Sequence, residues 1–170
     1  MSSHESRLSR EESMHGDPIA YFLTWTTYRS WLPGDDRGWV KYGEGWQPPD
    51  PIREYEAKIL MTEDACILTR KQRVLVEAQV AETAAHHGWT LHAVNCRSNH
   101  LHVVVSADVS DPERIRVALK ARATRALRKS FDSRRENWWA ERGSIRYLNS
   151  DDDLEAAIRY VRDGQDRNRS

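Results

Sequence analysis

Two histidines and one tyrosine are the residues whose types and spacing could carry out chemistry on a phosphate group. His100 and His102 stand two positions apart in NHLHVVV, a segment whose composition predicts a β-strand. Side chains alternate between the faces of a strand, so both imidazoles would project from one face. They could bind one metal ion, which would polarise a phosphoryl oxygen. Two ligands alone make a weak site, and a pair on a solvated strand face would have the same sequence.

Tyr160 lies in LEAAIRYVRDGQ, where apolar residues recur at helical spacing. Leu154, Ala157, Ile158 and Val161 would form the packed face of this helix, with Tyr160 beside its centre. A tyrosine hydroxyl has a pKa of about 10, so a nearby metal or cation is needed to make it a nucleophile. Its attack on a phosphodiester would leave a covalent phosphotyrosine and a free 3′-hydroxyl. The alternative is a tyrosine that packs at the edge of the core.

The hydrophobic pattern predicts the elements that must position these residues. Strands are expected at Tyr21–Tyr28, Trp89–Asn95, Leu101–Ser106 and Ser144–Leu148. Helices are expected at Thr69–His87, Asp111–Ser130 and Asp151–Asp163, with a shorter helix within Ile52–Leu68. Thr69 and Ser110 are the expected N-caps, and Gly88 and Gly164 the expected ends. This order predicts an α+β fold, a ferredoxin-like antiparallel sheet (β-α-β-β-α-β) with an appended C-terminal helix that carries the tyrosine.

Composition is typical of one globular domain, since 39% of the 170 residues are hydrophobic and 31% charged. We expect a disordered tail over residues 1–17, a single domain over 18–165 and a short tail over 166–170. No apolar run approaches the roughly 20 residues needed to span a bilayer, so no membrane association is expected. The two cysteines, Cys66 and Cys96, suggest neither a disulfide framework nor a metal site, which favours the cytoplasm.

The distribution of charge matters more than its sum. Net charge is zero, with 26 basic and 26 acidic side chains, which taken alone argues against binding to nucleic acid. From Arg114 to Arg135, however, many basic residues stand against one acid, Asp132. A local basic run can neutralise phosphates even when the whole protein is neutral. The candidate DNA-binding residues are Arg116, Lys120, Arg122, Arg128 and Lys129. A solvated helix face is the alternative interpretation.

Taken together, these segments resemble the HUH-type single-strand tyrosine transposases, which include the small insertion-sequence transposases and the REP-associated tyrosine transposases. The run RSNHLHVVV is similar to the family's Pro-Asn-His-hydrophobic-His followed by an apolar run. The run WWAERGS is similar to the segment leading into the fourth strand, RYV to the tyrosine helix, and YFLTWTTY to the opening strand. The resemblance covers Tyr21 to Gln165.

The resemblance implies Mg²⁺ or Mn²⁺ held by His100 and His102, and Tyr160 linked to a 5′-phosphate. The implied reaction is nicking and strand transfer on hairpin-marked single-stranded DNA, by a monomer or homodimer. Related proteins often take a third metal ligand about one turn after the tyrosine. That position is Gly164 here, and the neighbouring Gln165 is the candidate in its place.

The stretch Arg29–Pro51 is predicted to be a long irregular loop. Its part from Trp31 to Pro51, rich in Trp, Gly and Pro, is a second departure from the family. It is longer than the connection expected in smaller relatives. Its tryptophans, Trp31, Trp39 and Trp46, could stack on unpaired bases. They could equally cover the edge of the sheet, which is the use we expect.

Two other functions are compatible with the sequence. One is a non-catalytic nucleic-acid-binding protein, such as a domesticated transposase, for which the basic helix would suffice. The other is a metal-dependent phosphodiesterase that uses water and forms no covalent intermediate. Tyr147, on the preceding strand, is the alternative nucleophile.

Overall fold

The computed structural model describes residues 17–108 and 111–163. Within these ranges the strands are β1 (Ala20–Thr27), β2 (Trp39–Lys41), β3 (Gly45–Gln47), β4 (Thr90–Cys96), β5 (His100–Ser106) and β6 (Trp139–Leu148). The helices are α1 (Pro51–Ile59), α2 (Arg70–His87), α3 (Pro112–Ser130) and α4 (Asp151–Asp163). The candidate ligand Gln165, the expected helix end Gly164 and the expected cap Ser110 lie outside the described residues, as does most of both expected tails.

Four strands form one sheet in the order β4-β5-β1-β6, and every neighbouring pair in it is antiparallel. The connection from β1 to β4 contains α2, and the connection from β5 to β6 contains α3. This is the β-α-β-β-α-β arrangement, with α4 appended after the last strand. The predicted α+β, ferredoxin-like fold is confirmed.

One face of the sheet packs against α2 and α3. Its core includes Leu23, Trp25, Leu101, Val103, Val105, Val80, Ile115 and Leu119. The ends of α2 follow the predicted signals. Thr69 and Gln72 form a reciprocal capping box, and Gly88 ends the helix with a φ of 71°.

The N-cap of α3 is Asp111, whose carboxylate accepts a hydrogen bond from the backbone N–H of Glu113 at 3.0 Å. The expectation that Ser110 caps this helix is therefore wrong by one residue. Pro112 fills the first helical position, where a missing N–H costs no hydrogen bond. Both Ser110 and Asp111 have side chains that can cap a helix. The position of Pro112 as the first helical residue identifies Asp111 as the cap.

Strand β6 begins at Trp139, five positions before the expected start at Ser144. Its first part pairs with the end of β1, where Trp139 lies opposite Thr27 beyond a shift in register after Trp25. Such an irregularity breaks the alternation of side chains that predicts a strand, so the sequence pattern identifies only the regular half.

Helix α4 packs on the opposite face of the sheet from α2 and α3. Its packed residues are Leu154, Ala157, Ile158 and Val161, as predicted, and they contact Ala20, Phe22, Ala93, Val104 and Leu148. The side-chain amide of Asn95 on β4 donates a hydrogen bond to the carbonyl of Val161 at 3.1 Å. This bond fixes the last turn of α4 against the sheet.

The stretch between β1 and α2 is ordered, and the prediction of an irregular loop there is wrong in part. It contains the hairpin β2–β3 and then α1, which lies within the expected Ile52–Leu68 region apart from its first residue. Asp35 is buried, and the Arg37 guanidinium beside it holds the pKa of its carboxyl down to about 2. Arg37 donates hydrogen bonds of 2.7 Å and 2.6 Å to that carboxylate. The pair stiffens the turn ahead of the hairpin.

Gly34→Ala is expected to destabilise the fold through this inserted segment. Gly34 has a φ of 89°, and a Cβ there would overlap the carbonyl oxygen of Asp50 and the amide nitrogen of Glu54. The matched control is Gly43→Ala, where φ is 79° but nothing lies within 4 Å of the added carbon. Gly43→Ala should cost about 1 kcal/mol of unfolding free energy from backbone strain alone. Gly34→Ala should cost at least about 2 kcal/mol more, because the backbone of α1 must move. Chemical denaturation measures both, and equal losses would contradict the close packing.

Candidate active site

His100 and His102 project from one face of β5, with their ring centroids 4.9 Å apart. The alternating side chains of Leu101 and Val103 are buried in the core on the opposite face. The predicted alternation along this strand is therefore confirmed. It brings the two imidazoles to the face of the sheet that α4 covers.

The ring of His102 is held by its neighbour across the sheet. Thr24 on β1 lies opposite His102 in the strand register, and its hydroxyl is 2.7 Å from Nδ1 of the imidazole. Only 8% of His102 is exposed. Burial lowers the pKa of this imidazole to about 4, and the nearby His100 and Arg97 add to the effect. At neutral pH the ring is therefore uncharged and keeps a lone pair for a metal or a proton.

The ring of His100 is oriented by the residue before it. Nδ1 of His100 donates a hydrogen bond to the side-chain oxygen of Asn99 at 2.7 Å. Because the proton lies on Nδ1, the lone pair of the neutral ring lies on Nε2. A metal-binding histidine is typically oriented in this way, with one nitrogen donating to an oxygen and the other left as ligand.

Tyr160 on α4 lies beside these rings. Its ring centroid is 5.7 Å from that of His102 and 6.0 Å from that of Phe22. Phe22 also contacts His102, with centroids 5.4 Å apart, so the three rings form one cluster. Tyr160 is 47% exposed, so a large substrate can reach this side chain. The fold thus brings together the histidine pair and Tyr160, which are some sixty residues apart in the sequence.

Tyr147, the alternative nucleophile, is on the other face of the sheet. It lies opposite Tyr21 in the register of β1 and β6, and their rings meet edge to face at 5.6 Å. Tyr21 belongs to the core formed with α2 and α3. The sheet therefore separates Tyr147 from the histidine pair.

Thr24 and Phe22 are the site residues that sequence reasoning missed. Both lie in the predicted strand YFLTWTTY, and their alternation puts them on one face. The sequence contains no signal for which face that is, because the answer depends on β1 pairing with β5 in one particular register. The spacing of Phe22 and Thr24 is visible in the sequence, but the sequence does not show which residues they contact.

The donor set fits a metal ion in part. His100 and His102 supply two imidazoles on one face, and the Tyr160 ring packs against that of His102. Across residues 17–108 and 111–163, no group of three His, Cys, Asp or Glu side chains could hold a metal ion. The candidate third ligand, Gln165, falls beyond the described residues. Of the three predicted ligands, His100 and His102 are therefore the two that lie within the described residues.

The five predicted DNA-binding residues on α3 do not form one exposed stripe. Arg116 is buried and ion-paired with Glu113, and the Lys120 ammonium donates a hydrogen bond to the carbonyl of Ala140 at 2.7 Å. Burial lowers the pKa of Lys120 to about 8. Arg122, Arg128 and Lys129 are exposed. The basic residues are close together in the sequence, but in a helix every third or fourth residue faces the protein. Some of them therefore lie on the packed side of α3. DNA binding stays a prediction for all five residues.

Comparison with known proteins identifies the family of this chain. The chain matches the model of the IS200-like transposase family over residues 56–163, well over half of its length, and it belongs to that family. No curated protein is similar enough in sequence to be matched. The family supports transposase activity, and with it the class of DNA-cleaving enzymes.

Two solved structures are similar to this chain. One is a transposase from Deinococcus radiodurans R1, with 15% identity and a TM-score of 0.49 over 85% of this chain and 88% of that one. The other is a REP-associated tyrosine transposase bound to a REP hairpin, with 11% identity and a TM-score of 0.51. That match covers 86% of this chain and 66% of the other. At such an identity, the likeness to this second structure establishes a shared fold alone.

Within residues 17–108 and 111–163, every helix is too short or too polar to span a lipid bilayer.

Proposed function

We propose that this protein nicks and rejoins hairpin-marked single-stranded DNA through a 5′-phosphotyrosine at Tyr160. The observation that carries the proposal is the cluster of Tyr160, His102 and His100 on one face of the sheet. A half-exposed phenol beside a pair of imidazoles is an arrangement that suits phosphoryl transfer from DNA. Family membership supports the same chemistry.

In the proposed reaction the Tyr160 oxygen attacks a backbone phosphorus. A bond from phosphorus to the phenolic oxygen forms, and the bond from phosphorus to the 3′-oxygen breaks. The phenol loses its proton, and the departing 3′-oxygen gains one. The phosphodiester energy is kept in the new bond, so attack by a 3′-hydroxyl rejoins the strand without ATP.

His100 and His102 would hold a divalent ion, Mg²⁺ or Mn²⁺. Such an ion polarises the phosphoryl oxygens and favours the phenolate form of a nearby tyrosine. Thr24 and Asn99 keep the two rings in orientation through their contacts with Nδ1. Phe22 packs against both His102 and Tyr160 and limits how far either ring can turn.

The proposal is tested by covalent trapping. The full chain is incubated with a single strand that bears a hairpin, in the presence of Mn²⁺, and protein–DNA species are separated under denaturing conditions. A covalent adduct that EDTA prevents is the expected result. Hairpin binding with no adduct would instead favour the non-catalytic binding protein, and repeated turnover with no adduct the phosphodiesterase that uses water.

Thr24→Val is expected to weaken adduct formation by roughly ten- to hundredfold, the usual effect of removing a hydrogen bond to a metal-binding histidine. Valine keeps the shape of threonine but removes the hydroxyl that contacts His102. The metal concentration for half-maximal adduct formation should rise. In Thr24→Ser, which keeps a hydroxyl, this concentration should return to that of the unmodified chain. Thr90→Val on β4 is the control, because that threonine is exposed. An unchanged metal requirement in Thr24→Val would remove Thr24 from a positioning role.

A further inference from the structure

Arg97 lies in the turn that joins β4 to β5, directly before the histidine pair in the fold. Its backbone N–H donates a hydrogen bond to the carbonyl of His100 at 2.8 Å, which closes this turn. Cys96, the residue before Arg97, lies opposite Leu101 in the register of the two strands. The same register puts Arg97 opposite His100. The reaction proposed above assigns no role to this arginine.

Alternation along the hairpin puts the side chain of Arg97 on the face that carries the histidines. Cys96 belongs to the core on the other face of the sheet, whereas Asn95 bonds to the carbonyl of Val161 on α4. Arg97 comes next in this alternation and therefore shares the face of Asn95. Directly opposite residues of an antiparallel pair have Cβ atoms about 5 Å apart, so the Arg97 side chain begins beside that of His100.

The charge of Arg97 acts on the candidate site. Burial, His100 and Arg97, in that order, lower the pKa of His102. Since Arg97 lies opposite His100 and also acts on His102, its guanidinium is near both imidazoles. The side chain of Arg97 is partly buried, and solvent therefore screens its charge less than it screens a fully exposed one.

The turn that carries Arg97 is fixed by contacts of its backbone. The carbonyl of Ser98 accepts a hydrogen bond from the N–H of Leu68 at 2.8 Å, and the carbonyl of Asn99 accepts one from Thr27 at 2.9 Å. The bond that closes the turn also joins backbone atoms. Because none of these bonds uses the Arg97 side chain, a substitution of that side chain should leave the hairpin in place.

Other arginines near α4 are placed differently. Arg159 pairs with Glu155 at 3.2 Å. Arg146 on β6 lies opposite Phe22 and shares its face, but β6 is two strands away from the histidines on β5. The basic residues of α3 belong to a helix that packs on the other face of the sheet. Among these cations, Arg97 is the one placed to contact a phosphate that is bound at the histidines.

We infer that the guanidinium of Arg97 binds a non-bridging oxygen of the phosphate that Tyr160 attacks. The inference rests on the proposed function and deepens it by adding a phosphate-binding residue. The fixed N–H donors of arginine match the oxygens of a phosphate, and such charge-assisted hydrogen bonds are stronger than neutral ones. A cation held at these oxygens stabilises the charge they carry in the transition state. Arg97 keeps its protons throughout, and no covalent bond to it forms or breaks.

The first test measures binding without metal and without cleavage. The full chain with Tyr160→Phe is mixed, in EDTA, with a hairpin oligonucleotide that has an unpaired extension. Each phosphate of the extension is replaced in turn by a neutral methylphosphonate. We expect one position, at the cleavage site, where this change weakens binding about tenfold, as loss of a hydrogen bond between charged groups does. In Arg97→Gln the same replacement should have no effect.

The matched control for this test is Arg146→Gln, which removes the same charge from the same face of the sheet. The phosphate that is sensitive in the parent protein should remain sensitive in this variant. A sensitivity that persists in Arg97→Gln, or an extension with no sensitive phosphate, would overturn the inference.

The second test follows the rate of adduct formation with Mn²⁺ and DNA both saturating. Arg97→Gln should slow this rate about a hundredfold, the usual effect of removing a donor to the charge of a transition state. Arg97→Lys should slow it less, because lysine keeps the charge but not the planar group. The Mn²⁺ concentration for half-maximal adduct formation should not rise in Arg97→Gln. A rise would show that Arg97 acts by orienting His100, and this result or an unchanged rate would overturn the phosphate contact.

Failure of this inference is distinguishable from failure of the proposed function. Adduct formation that is equally fast in the unmodified chain and in Arg97→Gln would overturn the role of Arg97 and leave the covalent chemistry standing. Absence of any adduct, together with a sensitive phosphate whose effect Arg97→Gln removes, would support the phosphate contact and contradict the catalytic proposal.

Discussion

Tyr160→Phe is expected to abolish the covalent protein–DNA adduct, a loss of roughly a thousandfold or more, as when a catalytic nucleophile is removed elsewhere. The change deletes only the phenolic oxygen. The ring that packs against His102 and Phe22 remains, so the cluster and the fold should persist. Binding to a hairpin should therefore be retained while the covalent step is lost. Denaturing gels with labelled DNA measure the adduct, and a mobility shift measures binding.

The matched control is Tyr147→Phe. Tyr147 is also half exposed, but it packs against Tyr21 on the other face of the sheet. This variant should form adduct at the rate of the unmodified chain. Loss of adduct in Tyr147→Phe with retention in Tyr160→Phe would reverse the assignment of the nucleophile.

His102→Ala is expected to reduce adduct formation by more than about a hundredfold, since it removes a proposed metal ligand rather than one of its supporting contacts. His102 is the more buried of the two histidines, and it contacts both Thr24 and Tyr160. Added Mn²⁺ should recover little of the activity, because the remaining imidazole makes a much weaker site. The loss should greatly exceed that of Thr24→Val, in which the ligand itself remains.

His86→Ala is the control for this experiment. His86 is exposed near the end of α2 and contacts His87 rather than the candidate site. It should leave adduct formation unchanged. Since His102 is buried, thermal unfolding of both variants must be compared. A folded His102→Ala protein with full, EDTA-sensitive adduct formation would contradict a metal-binding role for this residue.

Local features of the sequence predict the parts of the site that lie on one element. Alternation along NHLHVVV places both imidazoles on one face of β5, and helical spacing places Tyr160 beside the packed face of α4. Both predictions hold because each depends on a single periodicity. The caps at Thr69 and Gly88 hold for the same reason, since each is a local hydrogen-bonding or backbone requirement.

The parts that depend on pairing between distant segments could not be predicted. The partnership of Thr24 with His102 requires β1 to pair with β5 in one register, and a shift of one residue would turn Thr24 to the other face. The meeting of Tyr160 with the histidines requires α4 to cover that same face. Arg116 is buried because Gly143, far along the chain, leaves room for it. None of these contacts has a signature in the sequence near either partner.

The inserted hairpin illustrates the same limit. Its glycines and prolines predict turns, but they do not predict that Trp39 is buried while Trp46 is exposed. That difference follows from how the hairpin packs on the rest of the fold.

The most direct measurement is the identity of the residue that carries the DNA. The adduct formed with Mn²⁺ is digested with protease and nuclease, and the modified peptide is sequenced by mass spectrometry. We predict a nucleotide joined through its 5′-phosphate to Tyr160. A nucleotide found on Tyr147 or on any other side chain, or one joined through a 3′-phosphate, would contradict the account.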